Sequence, residues 1–371
     1  MDETFDFQTY MSNGVARVIA EAMRATLHNP RESLFLTRFA AAAKRAAAKR
    51  RAAAQQGEAA PAFLIAGITS SCNLHCVGCC SRATQACSDA APVRQLTTAE
   101  WDDLFTQAEE MGVSFILLVG GEPLLRPDVI AAAAGHPQLL FPIFTNGCFV
   151  DDRYLELFDR YRNLTPIVSL EGDAARTDAR RGAGVYRKAR QTMAELQRRG
   201  LLYGVSITVT TENMRQVYAA DFVDDLCLQG CQAIVYVEFV PMTDEAAALA
   251  PGDAERAWMQ ERMRELRAQR PDMVFVAFPG DEKSSGGCVA AGRGFFHINS
   301  HGDVEPCPFS PYSDLNVRQT PLKEALHSRL FVHLRQNGLL NDNHRGGCVL
   351  VGKKREVEAF LNCADAMAAA D

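Results

Sequence analysis

The sequence lacks the features that direct a chain into a membrane, into the secretory route or onto a nucleic acid. Among its 371 residues there is no run of 18 apolar side chains, and residues 1–4 show no charged-then-apolar signal pattern. The formal net charge is -6, which gives no basis for general nucleic-acid binding. We therefore expect a cytoplasmic protein with no membrane span and no nucleic-acid partner.

The sequence also lacks an internal repeat and the glycine-rich fingerprint that follows the first strand of a dinucleotide-binding domain. It does contain an alternation of strand-like and helix-like segments, which predicts an α/β fold with a parallel sheet and right-handed crossovers. The predicted strands are 63–69, 114–119, 139–145, 165–170, 202–210 and 233–240. The predicted helices between them include 98–111, 151–161, 184–199 and 213–228, and Thr97 with Glu100 predicts a capping box at the start of the first.

The segments on either side of these six β/α units predict a division into four parts. They are a helical N-terminal extension over 1–57, a barrel over 61–245, a bridging helix and strand over 246–285, and a small C-terminal module over 286–371. In the extension, Asn29 and Pro30 are typical of a helix start. The basic residues of 40–54 indicate either a membrane-surface or partner helix, or a packing helix with a solvated face.

Twelve cysteines in a chain without a secretion signal favour metal ligation and reactive thiols over disulfides. Cys72, Cys76 and Cys79 lie in one short loop directly after the first predicted strand. Soft thiolates grouped in this way suit an iron–sulfur cluster or zinc, but a zinc ribbon normally pairs two CxxC knuckles. A four-iron cluster held by three thiolates keeps one iron open for a small molecule, which makes the arrangement reactive.

The CX3CX2C spacing of these residues resembles the signature of the radical S-adenosylmethionine (SAM) superfamily. The likeness covers roughly residues 60–350, because further motifs each close a strand-like segment in the order found in that family. These motifs are Gly120-Gly121-Glu122-Pro123, Thr145-Asn146-Gly147, Ser169-Leu170-Glu171-Gly172 and Glu238-Phe239-Val240-Pro241. The resemblance implies a partial (β/α)6 TIM-like barrel, and in barrels the reaction chamber lies at the carboxyl ends of the strands.

The resemblance also implies a [4Fe–4S] cluster whose fourth iron is chelated by SAM, and an electron donor such as a flavodoxin or ferredoxin. SAM would be cleaved reductively to methionine and a 5′-deoxyadenosyl radical. The implied cluster ligands are Cys72, Cys76 and Cys79. Gly120, Gly121 and Glu122 match the motif for the SAM amino group, with a charge-assisted contact from the carboxylate. The other positions assigned to SAM are Asn146, Ser169, Glu171, Arg181, Ser206, Thr208, Glu238 and Phe239.

Some of these positions have a second interpretation. Arg181 either pairs with the SAM carboxylate or belongs to a solvated basic turn, and Asn146 either touches SAM or forms an ordinary Asn-Gly turn. Many family members carry an aromatic residue where this chain has Gly78. We therefore expect the adenine to pack against another side chain, such as Leu74 or Phe239.

Cysteines outside the triplet have several interpretations. Cys80 is either a packing residue or a reactive thiol. Cys87, Cys148, Cys227 and Cys231 are expected to be small buried side chains, with the last two on one helix.

The C-terminal module contains a second cysteine pattern. Cys288, Gly302 and Cys307 resemble the opening CX9–15GX4C of the SPASM domain, the auxiliary-cluster extension of peptide-modifying radical SAM enzymes. Only Cys348 and Cys363 follow, so the resemblance implies a reduced, twitch-like module with one auxiliary [4Fe–4S] cluster on Cys288, Cys307 and Cys348. Cys363 either completes that set or leaves one iron open. The alternative is a remnant module whose cysteines ligate nothing.

Together these patterns predict a radical SAM enzyme that abstracts hydrogen from an unidentified peptide, small-molecule or cofactor-precursor substrate. The N-terminal extension has no strand pair for a winged-helix leader-binding domain, which weakens the peptide interpretation. His297 is expected to be a hydrogen-bonding turn residue rather than a ligand. The alternative from another class is a non-catalytic binding protein stabilised by zinc or a cluster.

Overall fold

A curled sheet of nine strands forms the centre of the described chain. The structure is a computed structural model, and it describes residues 7–58, 60–90, 94–279, 285–340 and 348–368. The strands are β1 (Phe63–Gly67), β2 (Phe115–Val119), β3 (Phe141–Thr145), β4 (Leu164–Leu170), β5 (Gly204–Val209), β6 (Ala233–Glu238), β7 (Val274–Phe278), β8 (His297–Ile298) and β9 (Val304–Glu305). The six strands predicted for the barrel are confirmed.

The strand order across the sheet is β7-β6-β5-β4-β3-β2-β1-β8-β9. Strands β1 to β7 run parallel, so their carboxyl ends lie along one edge of the sheet. β8 pairs parallel with β1, and β9 returns antiparallel to β8. This is the open, TIM-like half-barrel that the sequence predicted, extended by one parallel strand and a hairpin. One continuous sheet therefore runs through the segments predicted as barrel, bridge and C-terminal module.

Fourteen α-helices are present in the described ranges, and none of them is both long and apolar enough to cross a membrane. They are α1 (Phe7–Ala25), α2 (Pro30–Gln55), α3 (Cys80–Ala83), α4 (Thr98–Met111), α5 (Pro127–Ala134), α6 (Asp152–Arg160), α7 (Ala174–Arg181), α8 (Val185–Arg198), α9 (Met214–Val217), α10 (Ala220–Leu228), α11 (Asp253–Gln269), α12 (Arg329–Gln336), α13 (Val349–Gly352) and α14 (Lys354–Ala368). Short 3-10 helices cover Pro123–Leu125, Asp244–Leu249 and Leu322–His327.

Helix starts follow the predicted capping chemistry. The Asn29 side chain accepts hydrogen bonds from the first backbone N–H groups of α2, and Thr97 forms a reciprocal capping box with Glu100 at the start of α4. The single helix predicted over 213–228 is wrong, because the chain forms α9 and α10 with a break between them. Cys231 consequently lies beyond the end of α10 and not on a helix with Cys227.

The core lies between the sheet and its covering helices. In β2 the buried side chains alternate with half-buried ones, as expected when one face of a strand packs on helices and the other faces the concave side of the sheet. Ile116 and Leu118 are on the buried face, in one apolar cluster with Trp101 and Phe105 of α4. Burying one such aliphatic side chain contributes about 1.5–3 kcal/mol.

The N-terminal extension packs against the half-barrel through α2. Ala43, Ala46 and Ala47 are buried, which agrees with the packing-helix interpretation of this segment. Arg50 departs from it, because its guanidinium is buried and donates to the Gly112 carbonyl and to other polar groups. Burial lowers the pKa of Arg50 to about 10. A basic residue expected to be solvated is therefore part of the packing between extension and barrel.

Candidate functional site

The cysteine loop starts at the carboxyl end of β1 and lies across the end of β2. The Gly121 N–H donates to the Thr69 carbonyl at 2.8 Å, and the Glu122 N–H donates to the Ser71 carbonyl at 2.8 Å. A Cβ on Gly120 would lie 2.4 Å from the Thr69 oxygen, and one on Gly121 would lie 2.0 Å from the Ser71 oxygen. The two glycines are therefore required because the cysteine loop passes directly over them.

Glu122 is buried beneath this contact and joins the ends of β2 and β3. Its carboxylate accepts hydrogen bonds from Thr145 Oγ1 at 2.7 Å, the Asn146 N–H at 2.8 Å and the Leu124 N–H at 3.1 Å. Burial raises the pKa of this carboxyl group, although the hydrogen bonds oppose the shift. Protein donors thus engage both oxygens of the carboxylate that was predicted to contact the SAM ammonium.

Asn146 connects β3 to the cysteine loop. Its side-chain Nδ2 donates to Asn73 Oδ1 at 2.8 Å, and its side-chain Oδ1 accepts from the Cys148 N–H at 2.9 Å. The Asn-Gly pair therefore does more than form a turn, since it contacts a residue between two of the predicted cluster ligands. Cys148 is half-buried, and burial raises the pKa of its thiol.

Glu171 forms the second buried carboxylate of the site, at the end of β4. Its Oε1 accepts from Arg180 Nη1 at 2.6 Å and from Arg181 Nε at 2.7 Å, and its Oε2 accepts from the Thr208 N–H at 3.2 Å. The arginine side chains are only 18% and 11% exposed, so the solvated basic turn is wrong for both. Arg180 and Arg181 instead end α7, a helix that the sequence did not predict.

The same pair of arginines contacts the cysteine loop. The Val77 N–H donates to the Arg180 carbonyl at 2.8 Å. Burial raises the pKa of the Cys76 thiol, whereas the positive charges of Arg181 and Arg180 oppose that shift. Two guanidinium groups share one carboxylate here, which leaves one positive charge beside Cys76.

The three predicted cluster ligands are half-buried side chains of this loop. The Leu74 N–H donates to Cys72 Sγ at 3.4 Å. A hydrogen bond between the Cys72 and Cys87 thiols, followed by burial, raises the pKa of Cys72. Cys80 begins α3 and packs against the core, and burial raises the pKa of its thiol.

The three thiols of this loop are the donors that a cluster would use. No group of three Cys, His, Asp or Glu side chains in the described ranges converges on the position of one metal ion. The loop nevertheless carries three soft sulfur donors, which suit iron–sulfur ligation, and the positive charges of Arg181 and Arg180 act on one of them, Cys76. The residues therefore fit a multi-iron cluster held through Cys72, Cys76 and Cys79.

Phe239 occupies the space beside Gly78. It directly follows β6, is buried, and its ring lies 2.8 Å from where a Cβ on Gly78 would be. The Phe239 ring thus lies next to Gly78, the position where many members of the resembled family carry an aromatic residue. Leu74 is half-buried on the same loop.

The Glu238 side chain lies on the helix side of the sheet, unlike the Phe239 ring. Side chains alternate along β6, and Glu238 shares the buried face with Ile234 and Tyr236. Its carboxylate pairs with Arg256 of α11 at 2.8 Å. The structure therefore directs this predicted site residue toward a helix and away from Phe239 and the cysteine loop.

Ser169 and Ser206 are neighbours across β4 and β5. They are paired in register and both are buried. Thr208, two residues further along β5, is half-buried and lies beside Glu171 through its backbone N–H. These hydroxyl groups therefore lie on one face, near the carboxyl ends of adjacent strands.

The cysteines of the C-terminal module have different surroundings. Cys288 and Cys307 are buried within the main apolar core, and Cys348 is half-buried against the same core at the start of α13. Cys363 is exposed on α14. Gly302 forms the turn of the β8–β9 hairpin at φ +94°, a conformation that favours glycine. Residues 341–347 lie outside the described chain.

A buried polar pair near β1 was missed by the sequence analysis. His297 belongs to β8 and not to a turn, and its Nδ1 lies 2.7 Å from Glu305 Oε2 across the hairpin. Asn299 donates to the other Glu305 oxygen at 2.7 Å. The His297 Nε2 lies 2.9 Å from where a Cβ on Gly67 would be. Only the hairpin register around Gly302 would have signalled this pairing in the sequence.

Comparisons with known proteins agree with the fold and the motifs. The profile of the Radical SAM superfamily matches residues 67–223. A pre-heme d1 synthase of Dinoroseobacter shibae is 31% identical over 302 residues, covering 70% of this chain and 72% of the relative. A PqqA peptide cyclase of Streptomyces rochei is 28% identical over 312 residues, covering 78% of this chain and 84% of the relative.

Among solved structures, Streptococcus suis SuiB bound to S-adenosylmethionine is similar in fold, with a TM-score of 0.64. The match covers 83% of this chain and 76% of that protein at 17% sequence identity. At this identity the likeness concerns the fold alone. It includes most of the half-barrel and extends beyond the segment matched by the superfamily profile.

Proposed function

This chain belongs to the radical SAM superfamily, and from that premise we propose that it cleaves SAM at a cluster held by Cys72, Cys76 and Cys79. The superfamily uses a [4Fe–4S] cluster and SAM. We propose further that the resulting 5′-deoxyadenosyl radical abstracts hydrogen from an organic substrate on the concave side of the sheet. The observation that carries the proposal is the seating of the cysteine loop on Gly120 and Gly121.

The protein's own part in cluster binding is to hold one loop rigidly. Backbone hydrogen bonds tie the loop to the end of β2, Asn146 ties it to β3, and the Arg180 carbonyl ties it to α7. When bound, the cluster supplies the electron that cleaves SAM. The net positive charge of Arg180, Arg181 and Glu171 beside Cys76 favours the thiolate form that iron requires.

SAM binding is assigned to the strand ends around this loop. Because protein donors engage the Glu122 carboxylate, we assign the SAM ammonium to the backbone carbonyls of Gly120 and Gly121 instead. Arg181 provides charge for the SAM carboxylate, since Glu171 neutralises only one of the two arginines. Phe239 is assigned to adenine packing, because its ring already lies against the cysteine loop at Gly78.

The other residues predicted to contact SAM differ in the observations that support them. Ser169 and Ser206 are paired near the carboxyl ends of their strands, where they can donate to hydroxyl groups of the ribose. Asn146 acts by orienting the cysteine loop through Asn73. Glu238 is not assigned to SAM, because its carboxylate pairs with Arg256 on the helix side of β6.

The C-terminal module is proposed to hold one auxiliary [4Fe–4S] cluster. Cys288 and Cys307 are buried in the main apolar core and Cys348 is half-buried against it, and burial of this kind would shield a cluster from solvent. The exposure of Cys363 on α14 separates it from that environment, which favours a set of three protein ligands. The module's hairpin is part of the same sheet as the cysteine loop, so both centres are built on one rigid element.

Substrate class is drawn from the relatives, one of which is a peptide cyclase and another a pre-heme d1 synthase. We propose that the substrate is a peptide or a tetrapyrrole-type cofactor precursor. An electron donor of the flavodoxin or ferredoxin class and a cytoplasmic location complete the proposal.

Anaerobic reconstitution tests this function. Iron and sulfide of about eight each per chain are expected for two [4Fe–4S] clusters. Reduction in the presence of SAM should yield 5′-deoxyadenosine and methionine, measured by liquid chromatography and mass spectrometry. A chain that binds zinc, remains colourless after reconstitution and leaves SAM intact would be a binding protein, and the proposal would be wrong.

A further inference from the structure

The buried pair of His297 and Glu305 lies on the concave side of the sheet, where the proposed function places the substrate. His297 is in register with Ile65 of β1, and Ile65 is in register with Leu117 of β2. Neighbours in register on parallel strands share one face of a sheet. Leu117 lies on the half-buried face of β2, opposite the buried Ile116 that packs against helices. The His297 ring is therefore directed to the concave side, and Glu305 is its neighbour across the hairpin.

The imidazole ring of His297 is held in one orientation. Its Nδ1 lies 2.7 Å from Glu305 Oε2, and Asn299 Nδ2 donates to Glu305 Oε1 at 2.7 Å. Because a carboxylate accepts hydrogen bonds, Nδ1 is the donor in this pair. With its hydrogen on Nδ1, the ring presents a lone pair at Nε2. Nε2 makes no hydrogen bond to any residue within the described ranges, so it is available as an acceptor.

Gly67 leaves room for this nitrogen at the carboxyl end of β1. A Cβ at this position would lie 2.9 Å from His297 Nε2. The Gly67 backbone has no positive φ, so the close approach of the ring, and not the backbone conformation, accounts for a glycine here. Gly67 is the last residue of β1, the strand that leads into the cysteine loop. Nε2 therefore lies at the end of the sheet where the site is built.

Four phenylalanine rings contact one another beside this histidine. Phe278, at the end of β7, and Phe295, two residues before His297, have ring centroids 5.6 Å apart. Phe63 of β1 stacks on Phe295 at 5.0 Å, and Phe309 lies 6.3 Å from Phe278. Because β7 forms one edge of the sheet and the β8–β9 hairpin forms the other, these rings close the open side of the half-barrel. They provide an aromatic surface next to the imidazole ring.

We infer that His297 is a substrate-binding residue whose Nε2 accepts a hydrogen bond from an aromatic group bearing an O–H or N–H, with Glu305 and Asn299 as its positioning residues. The inference rests on the proposed function, which places the substrate on the concave side. Aromatic rings pack favourably against the phenylalanines, and a desolvated acceptor is stabilised only by a ligand that brings a donor. A phenol of a peptide side chain and a pyrrole of a tetrapyrrole have this chemistry in common.

Diethyl pyrocarbonate tests where Nε2 lies, whether or not the chain binds iron or cleaves SAM. The ring nitrogen attacks a carbonyl carbon and gains the ethoxycarbonyl group, and the ring's hydrogen leaves with ethyl carbonate, which gives ethanol and carbon dioxide. Peptide mapping of the full chain should show His297 labelled.

His136 is the matched control for this labelling. Its side chain is 11% exposed against 6% for His297, but its Nε2 lies 3.0 Å from Asp102 and its Nδ1 lies 3.6 Å from Glu109. Both of its nitrogens are therefore engaged, and we expect it to resist the reagent. If His297 is labelled no faster than His136, Nε2 does not face the concave side and the inference is wrong.

Protection from the reagent tests the ligand chemistry. The probes are phenol and pyrrole, with anisole and N-methylpyrrole as the matched rings that lack the donor hydrogen. Each donor probe should protect His297 at a concentration about 2- to 13-fold lower than its methylated counterpart, which is the ratio that one hydrogen bond supplies. Labelling is normalised to His28, which is exposed. A larger ratio for phenol would indicate a peptide phenol, and a larger ratio for pyrrole a tetrapyrrole. Equal protection within both pairs, or no protection, would overturn the inference.

Two variants separate the acceptor from a packing role, with probe binding measured by saturation-transfer nuclear magnetic resonance. His297→Gln places an amide near the position of Nε2 and should retain the preference for the donor probes. His297→Asn keeps a group near Nδ1 for Glu305 but removes Nε2, so it should lose that preference. His28→Asn, at the exposed turn after α1, is the control and should behave as the wild type.

The remaining outcomes of the variant test contradict the inference. If His297→Asn retains the preference, the acceptor is another group. If both His297→Gln and His297→Asn lose it while circular dichroism shows an intact fold, His297 is a packing residue. Neither result depends on SAM cleavage, so each can be told apart from a failure of the proposed function.

Discussion

The two groups of cysteines in this protein differ in how the chain brings them together. Cys72, Cys76 and Cys79 are half-buried in one loop, held by backbone hydrogen bonds and ion pairs. Cys288 and Cys307 are buried in the apolar core of a module whose cysteines are far apart in sequence. The thiols of the first group are partly exposed to solvent, whereas Cys288 and Cys307 of the second group are enclosed.

This difference shows that the loop and the module depend on different forces. The loop depends on close approach between main chains, for which Gly120 and Gly121 are necessary. The module depends on side-chain packing around the β8–β9 hairpin, so its cysteines are sensitive to the stability of the core. Four predictions follow from this contrast.

The largest effect is expected from removing one cysteine of each group. Cys76→Ala should reduce 5′-deoxyadenosine formation to the level of cluster-free protein, because only two of the three predicted ligands would remain. Cys307→Ala should leave SAM cleavage largely intact while lowering iron content. Cys363→Ala, an exposed cysteine on α14, is the control. Equal loss in Cys76→Ala and Cys307→Ala would show that the module is needed for folding.

Gly121→Ala should be the next largest perturbation. The new Cβ would lie 2.0 Å from the Ser71 oxygen, so the loop must move. Overpacking of this kind costs about 1–3 kcal/mol, and cluster incorporation should fall with it. Gly14→Ala in α1 is the matched control, because nothing lies within 4 Å of its Cβ position. It should raise stability by about 0.5–1 kcal/mol. Denaturant unfolding and iron analysis measure both variants.

Phe239→Ala should weaken SAM binding without removing the cluster. Base–aromatic stacking is worth about 1–3 kcal/mol, so the Kd for SAM should rise about 5- to 150-fold. Phe239→Leu retains most of the buried volume beside Gly78 and separates stacking from packing. Equilibrium binding to the reconstituted protein is the measurement. An unchanged Kd in Phe239→Ala would move adenine packing to another residue, such as Leu74.

The smallest effect concerns the contact between barrel and module at Glu100. The Glu100 carboxylate accepts hydrogen bonds from the Thr97 N–H and, at 2.9 Å, from Arg318 of the module. These contacts lower the pKa of Glu100 from 4.5 to about 2. A carboxyl group with a lowered folded-state pKa stabilises the protein above pH 4.5 and loses that contribution as the pH falls toward 2.

Glu100→Gln should therefore lower the free energy of unfolding by about 1 kcal/mol near neutral pH. That free energy should also fall less steeply than in the wild type as the pH drops from 4.5 toward 2. Urea unfolding at several pH values measures this. Glu110→Gln, at an exposed position of the same helix, is the control. If the free energy of unfolding of Glu100→Gln depends on acidic pH as in the wild type, the barrel–module contact does not depend on this carboxylate.

Much of the fold could be predicted from the sequence. The barrel strands, the capping box at Thr97 and the cysteine loop all depend on local patterns of apolar spacing, caps and turns, which neighbouring residues determine. The break between α9 and α10 and the helix α7 were missed, because short helices depend on contacts with distant residues.

Most residues of the site could be predicted from the sequence, but their hydrogen-bonding partners could not. Sequence reasoning found Glu122 and Glu171 but not the donors that surround them, since those donors come from other strands and from α7. It proposed Phe239 for the adenine, but only the structure shows the ring against Gly78. The burial of Arg50 had no local signal, and the pairing of His297 with Glu305 was signalled only by the hairpin register around Gly302.

The order of motifs along the chain, by itself, determined the family, the parallel half-barrel and the three thiols of the loop, because each is written within a few consecutive residues. Only the tertiary structure decided that Glu238 faces a helix and that Arg181 and Arg180 share one carboxylate. The physical reason is that hydrogen bonds and ion pairs between distant segments form only after packing has set the distances between them.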